Sequence, residues 1–166
     1  MLKKLILLLF IVAPVSIFAQ DKIAYVNSQE LFMKMPEMKT VETQLATESE
    51  TIRKNSDAIR AEYNALLEKF KADTTQISES LLLDRQNQLE GLQKRFNDYA
   101  ETSSAEFDKK RQGLLAPLQE KLLKAIKEVG DENNYTYILE TGALMYIGTN
   151  AVDANKAVKA KLGITD

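Results

Sequence analysis

No cysteine and no histidine occur anywhere in the 166 residues. The first absence excludes disulfides, thiol nucleophiles and thiolate metal sites. The second removes the commonest general base and metal ligand. Breakers are scarce as well, with three prolines and six glycines, so long helices can run uninterrupted. Charge of a single sign is also missing: 22 basic residues face 24 acidic ones, and the signs alternate, as where Arg53 and Lys54 fall between Glu50 and Asp57. Phosphate backbones call for cations clustered on one face, so nucleic acid is excluded as a partner. Nothing resembles a phosphate loop or a nucleophile elbow. Asp131, Glu132 and Glu140 lie in charge-balanced helices or at strand ends, where solvation or capping accounts for them. No catalytic residue, cofactor site or metal site is expected, and an enzyme is the weakest of the three function classes weighed below.

Lys3 and Lys4 precede an apolar run from Leu5 to Val15, followed by Ile17-Phe18-Ala19-Gln20 with a small residue at the cut, which is the pattern of a secretory signal over residues 1–19. The run is shorter than the roughly twenty residues of a permanent span, and no cysteine stands ready for lipid attachment. Removing Lys3 and Lys4 with the signal leaves 20 basic against 24 acidic residues, a net charge of about −4. An exported protein without disulfides must find stability elsewhere.

Residues 22–27, Lys-Ile-Ala-Tyr-Val-Asn, predict a strand with Ile23 and Tyr25 on one face and Ala24 and Val26 on the other. Asn27 can cap a short helix from Ser28 to Met35 by accepting the Glu30 N–H, burying Leu31 and Phe32. Pro36 suits the first turn of a second helix, with Glu37 beside it. From Met38 to Phe70, apolar residues recur at spacings of three, four and seven, which predicts a helix of about 50 Å. Asp73-Thr74-Thr75-Gln76 makes a turn. Leu82, Leu89, Leu92, Phe96, Tyr99, Phe107, Leu114, Leu118, Leu122 and Val129 then mark a second helix of about fifty residues, packed antiparallel on the first.

Glu48, Asn55, Glu62 and Ser103 fall on that seam where a tight coil would place Leu or Ile, and polar seam residues loosen packing. The arm is therefore expected to flex. Gly91 and Gly113 weaken its second helix, and Pro117 should bend it near the base. Beyond a left-handed turn at Asn133-Asn134, residues 135–148 read as two strands around a Thr141-Gly142 turn, and a last helix from Ala154 to Leu162 is capped by Asn150 or Asp153 and closed by Gly163.

The fold class is thus α+β: a long antiparallel helical hairpin, residues 37–129, inserted in a small β-body made of 20–36 and 130–166. A body of some 60 residues without staples is marginal. Copies are expected to merge strands into a closed oligomeric barrel through Ile23, Tyr25, Val26, Tyr137, Leu139, Leu144 and Tyr146.

The stretches KIAYVNSQELF (22–32), LLAPLQEKLLKAIKEVGDENNYTYILE (114–140) and ALMYIGTNAVDANKAVKAKLGI (143–164), in that order around the long hairpin, resemble the Skp, or OmpH-like, family of periplasmic chaperones. The resemblance implies a homotrimer with a central barrel and three helical tentacles around a cavity. It also implies a periplasmic location and ATP-independent holding of unfolded outer-membrane proteins. The best-known members are strongly basic, whereas this chain is mildly acidic, so capture would rest on interspersed charges and apolar patches. Lys69, Lys71 and Arg85 are matched by Glu68, Asp73, Glu79 and Asp84, so no lipopolysaccharide site is carried over; peripheral membrane or lipopolysaccharide contact is left open.

A second class is a structural or adaptor coiled coil of the envelope, against which the diluted seam and the missing anchor count. Two smaller features have blander readings. Tyr135, Tyr137 and Tyr146 could form a stacking platform, but aromatics on short strands are more often core. Asp73-Thr74-Thr75 resembles an O-glycosylation signal at Thr74 or Thr75, but a plain loop explains it as well.

Overall fold

The computed structural model describes residues 22–72 and 77–165. The expected signal at 1–19 and the Asp73–Gln76 turn, with Thr74 and Thr75, lie outside the described residues. Strand β1 (Ile23–Val26) alternates as its sequence requires, turning Ala24 and Val26 inward and leaving Ile23 exposed. Asn27 then accepts the Glu30 N–H through Oδ1 at 3.0 Å and caps helix α1 (Ser28–Lys34). Helix α1 stops because Met35 precedes proline: its ψ of 134° is the extended geometry that proline imposes on its predecessor.

The next helix does not begin at Pro36 as expected. One turn intervenes, the Glu37 carbonyl accepts from Thr40 and Val41 at 3.0 and 3.1 Å, and α2 runs over Met38–Ala72. Helix α3 (Glu79–Asn133) starts under Ser78, whose side chain accepts the Leu81 N–H at 3.4 Å. At 55 residues it extends about 80 Å. It ends where Asn134 turns left-handed at φ 53° and the Tyr135 N–H reaches the Gly130 carbonyl at 3.0 Å.

The expected hairpin at 135–148 is not formed. Strand β2 (Tyr137–Glu140) pairs parallel to β1, with Ile23 opposite Tyr137 and Val26 opposite Glu140. A third strand, β3 (Val152–Asp153), pairs parallel on the other edge of β1, so the order is β2-β1-β3. The long arm is itself the crossover that parallel pairing demands. After β2 a 3₁₀ turn (Thr141–Ala143) leads away, because the Thr141 hydroxyl donates to the Val26 carbonyl at 2.9 Å and carries the chain across the end of β1. Leu144 and Tyr146, expected on a strand, therefore lie in the crossing segment.

Helix α4 (Asn155–Leu162) begins after Ala154 with no side-chain cap from Asn150 or Asp153, although Asp153 Oδ1 accepts the Asn155 N–H at 2.8 Å, and Gly163 closes it at φ 70°. The core sits where α1, α4, the sheet and the root of the arm meet, around Val26, Leu31, Met35, Val129, Val158 and Leu162. Two polar clasps tie these pieces together. Glu140 accepts the Ser28 N–H at 3.1 Å, and Asn155 Oδ1 accepts the Asn27 N–H at 2.8 Å. Lys161 adds an ion pair with Glu132 at 2.5 Å.

Candidate functional site

Two surfaces stand out against this core. The first is the outer face of the sheet. Ile23, Tyr25, Leu139, Leu144 and Tyr146 line a hollow of about 230 Å³, and Tyr137 is exposed opposite Ile23 in the strand register. Val26 lies on the other face, inside the chain's own core. The crossing segment presents Tyr146 at 84% and Met145 fully exposed, which is costly for side chains of this size. Tyr135 packs against the core, so the three tyrosines do not form one platform.

The second surface is the arm. Between Glu42 and Pro117 only Ile59 and Ser103 are buried among the described residues. Of the polar positions expected on the seam, Glu48 and Ser103 lie in it, whereas Asn55 and Glu62 are exposed on its flank beside Ser56 and Tyr63; Glu48, Asn55 and Glu62 are nevertheless partnered across the two helices. Glu48 meets Lys110, the Asn55 amide donates to the Tyr99 hydroxyl at 3.1 Å, and Glu62 meets Arg95 at 2.8 Å. Nearer the tip, Arg85 donates to the Lys69 carbonyl at 3.2 Å, and at the root Glu37 meets Lys121. Positions 48, 55, 62 and 69 are one heptad apart, so these rungs specify register where apolar packing is thin. Each ion pair is partly solvated and is worth about 0.2–1 kcal/mol. A cleft of about 280 Å³ opens between the helices at Ile59, Tyr63, Leu92 and Phe96.

The charged groups behave as these partners dictate. The ammonium of Lys121, with the backbone N–H of Glu37 adding to it, holds the Glu37 carboxyl below its usual 4.5. Glu30 is lowered likewise by Lys34, and Glu50 by Arg53. Lys161 is raised above 10.5 by Glu132.

Pro117 is exposed and α3 continues through it. Proline lacks the N–H that would bond the carbonyl four residues back and crowds that carbonyl. The residue four back is Gly113, which has no side chain, so two weak points coincide on one turn. The tip leucines fall outside the seam pattern. Leu82 is expected on the seam, yet Leu81, Leu82 and Leu83 are 40%, 40% and 58% exposed. Their being consecutive was the available signal, since no single stripe of a helix holds three neighbours.

Among the described residues no cluster of acidic side chains is arranged to hold a metal, and no helix is long and apolar enough to cross a membrane. The fold defines a mostly helical protein in which a small parallel sheet grips the root of a long helical hairpin. The profile of the outer membrane protein (OmpH-like) family matches residues 22–162, and the chain belongs to that family. The solved structure of a candidate outer membrane chaperone (OmpH-like) from Caulobacter crescentus CB15 is similar in fold. Its TM-score is 0.76 at 18% sequence identity, with 87% of this chain and 85% of that chain covered. No curated protein sequence matches the chain.

Proposed function

We propose that this chain is an ATP-independent holdase of the periplasm that binds unfolded outer-membrane proteins and prevents their aggregation in transit. Residues 20–36 and 130–166 form the association body, and 37–129 form the arm. Copies associate as a homotrimer through the outer sheet face, around Ile23, Tyr25, Tyr137, Leu139, Leu144 and Tyr146. This covers the exposed apolar segment and closes the sheet edges. The observation that carries the reading is the arm's thin seam, with two buried residues among the roughly seventy described between Glu42 and Pro117. Such an arm offers many weak apolar contacts among balanced charges. It holds a chain without imposing a structure on it.

Release is passive. The arms splay at the Gly113–Pro117 turn, and the client leaves when folding elsewhere lies lower in free energy, so no nucleotide is consumed. Neither the family nor the residues call for enzymatic activity. The test is dilution of a denatured β-barrel protein into buffer with the processed protein. Suppressed aggregation at near-stoichiometric ratio is expected, with a native mass of three chains. Unhindered aggregation would leave the adaptor reading, which one observation favours: rungs at heptad spacing are also what a rigid spacer needs to keep its register.

A further inference from the structure

The tip of the arm carries the chain's only run of three consecutive leucines at exposed positions among the described residues, Leu81-Leu82-Leu83 at the start of α3. Successive helix residues are 100° apart, so these three span about 200° of the circumference. One neighbouring helix cannot cover such an arc, and α2 does not: even Leu82, on the side of the seam, keeps 40% of its surface. Ser78, which caps the helix with Glu79 in its first turn, holds this turn helical and keeps the leucines splayed.

Size and charge decide what would cover them. A stable interface between folded proteins engages roughly 20–30 residues a side. Three side chains at the end of a slender arm fall far short, so neither a second copy nor a folded partner is held there. Around the leucines, Lys69, Lys71 and Arg85 stand against Glu68, Glu79 and Asp84, with Lys71 paired to Glu68 at 3.0 Å. With Asp73 of the sequence counted, acidic residues outnumber basic ones four to three, which supplies no attraction to an anionic lipid surface. A flexible chain, by contrast, can wrap an arc of 200° and needs only a few apolar side chains to do so.

We infer that the Leu81-Leu82-Leu83 collar is a contact site for extended, aliphatic and aromatic segments of an unfolded polypeptide, taken irrespective of their charge. The inference rests on the holdase reading and places one contact point of it at the arm's tip. The collar meets a client first, and the loose seam below receives the rest.

The test uses the full processed protein with a photo-crosslinking residue at position 83 and, for comparison, at the exposed Lys54. With a denatured β-barrel client, crosslinks are expected at 83 and not at 54. In parallel, L81S/L83S is expected to bind the client about tenfold more weakly with helix content unchanged. Equal affinity of the variant, together with no crosslink at 83, would overturn the site while wild-type protection still stood. A wild type that protects no client would instead sink the holdase reading and the collar with it. Crosslinks between two copies at 83, or retention of client but loss of binding to anionic vesicles in the variant, would also overturn the assignment. The crosslinks decide the matter even if the variant folds poorly.

Discussion

The two ends of this molecule bury their apolar residues very differently. Where the sheet, α1, α4 and the arm's root converge, Leu31 and Val129 are 1% exposed and Val158 is wholly buried. Along the arm, residues of the same kind, such as Leu66, Leu89 and Phe96, are only half-buried. Two helices side by side enclose little interior: apart from Ile59 and Ser103, each described seam residue between Glu42 and Pro117 stays partly open to water. At the root a third and fourth layer close the gap. One chain thus combines a firm anchor with a compliant limb, and the contrast follows from how many elements meet at each level.

That contrast can be broken in several ways. The largest effect is expected from Leu31→Ala, which removes a fully enclosed side chain and should cost about 3 kcal/mol of body stability in urea unfolding. The half-exposed Leu66→Ala should cost about 1 kcal/mol or less; equal costs would erase the distinction. Ile59→Ala comes next, at about 2 kcal/mol. Amide exchange should accelerate along the arm and leave the body's amides protected, whereas uniform acceleration would mean that arm and body unfold as one.

A smaller effect is expected from replacing Glu48, Asn55 and Glu62 together by Leu. The rungs to Lys110, Tyr99 and Arg95 give way to apolar contact along the seam and its flank, arm amides exchange more slowly, and the range of client sizes protected narrows. Unchanged protection would remove arm flexibility from the mechanism. The smallest effect concerns the root rung. The folded Glu37 carboxyl lies below 4.5, so its pair with Lys121 contributes above that pH and is lost as pH falls through the lower folded value. Glu37→Gln should lower stability at pH 7 by a few tenths of a kcal/mol and flatten the decline below pH 4.5, measured by thermal unfolding across pH.

Much of this design is legible in the residues. The long amphipathic patterns, the Asn27 cap, and the stops at Asn134 and Gly163 all arise from contacts within a few positions of chain, and each helix lies close to its expected span. Glu48, Asn55 and Glu62 were legible as polar interruptions of the pattern, but not that Asn55 and Glu62 flank the seam, nor their partners on the other helix. Lys110, Tyr99 and Arg95 are 62, 44 and 33 residues away, and only the hairpin's register brings them opposite. Likewise Ile23, Tyr25, Leu139, Leu144 and Tyr146 were recognisable as apolar surface, while the hollow they share depends on how the crossing segment lies over the sheet.

The 135–148 stretch marks the limit. Its apolar runs around Thr141-Gly142 suit an antiparallel hairpin as well as the parallel sheet that forms, because alternation reports which side chains share a face and not which strand lies beside them. Residues alone therefore determined the helices, their ends and the placing of sheet segments on either side of the arm. Tertiary structure decided that the strands run parallel, that 144–151 crosses the sheet exposed, and that three leucines crown the tip. Helical bonds close within four positions and are written locally, whereas Ile23 finds Tyr137 only after two long helices have carried the chain out and back.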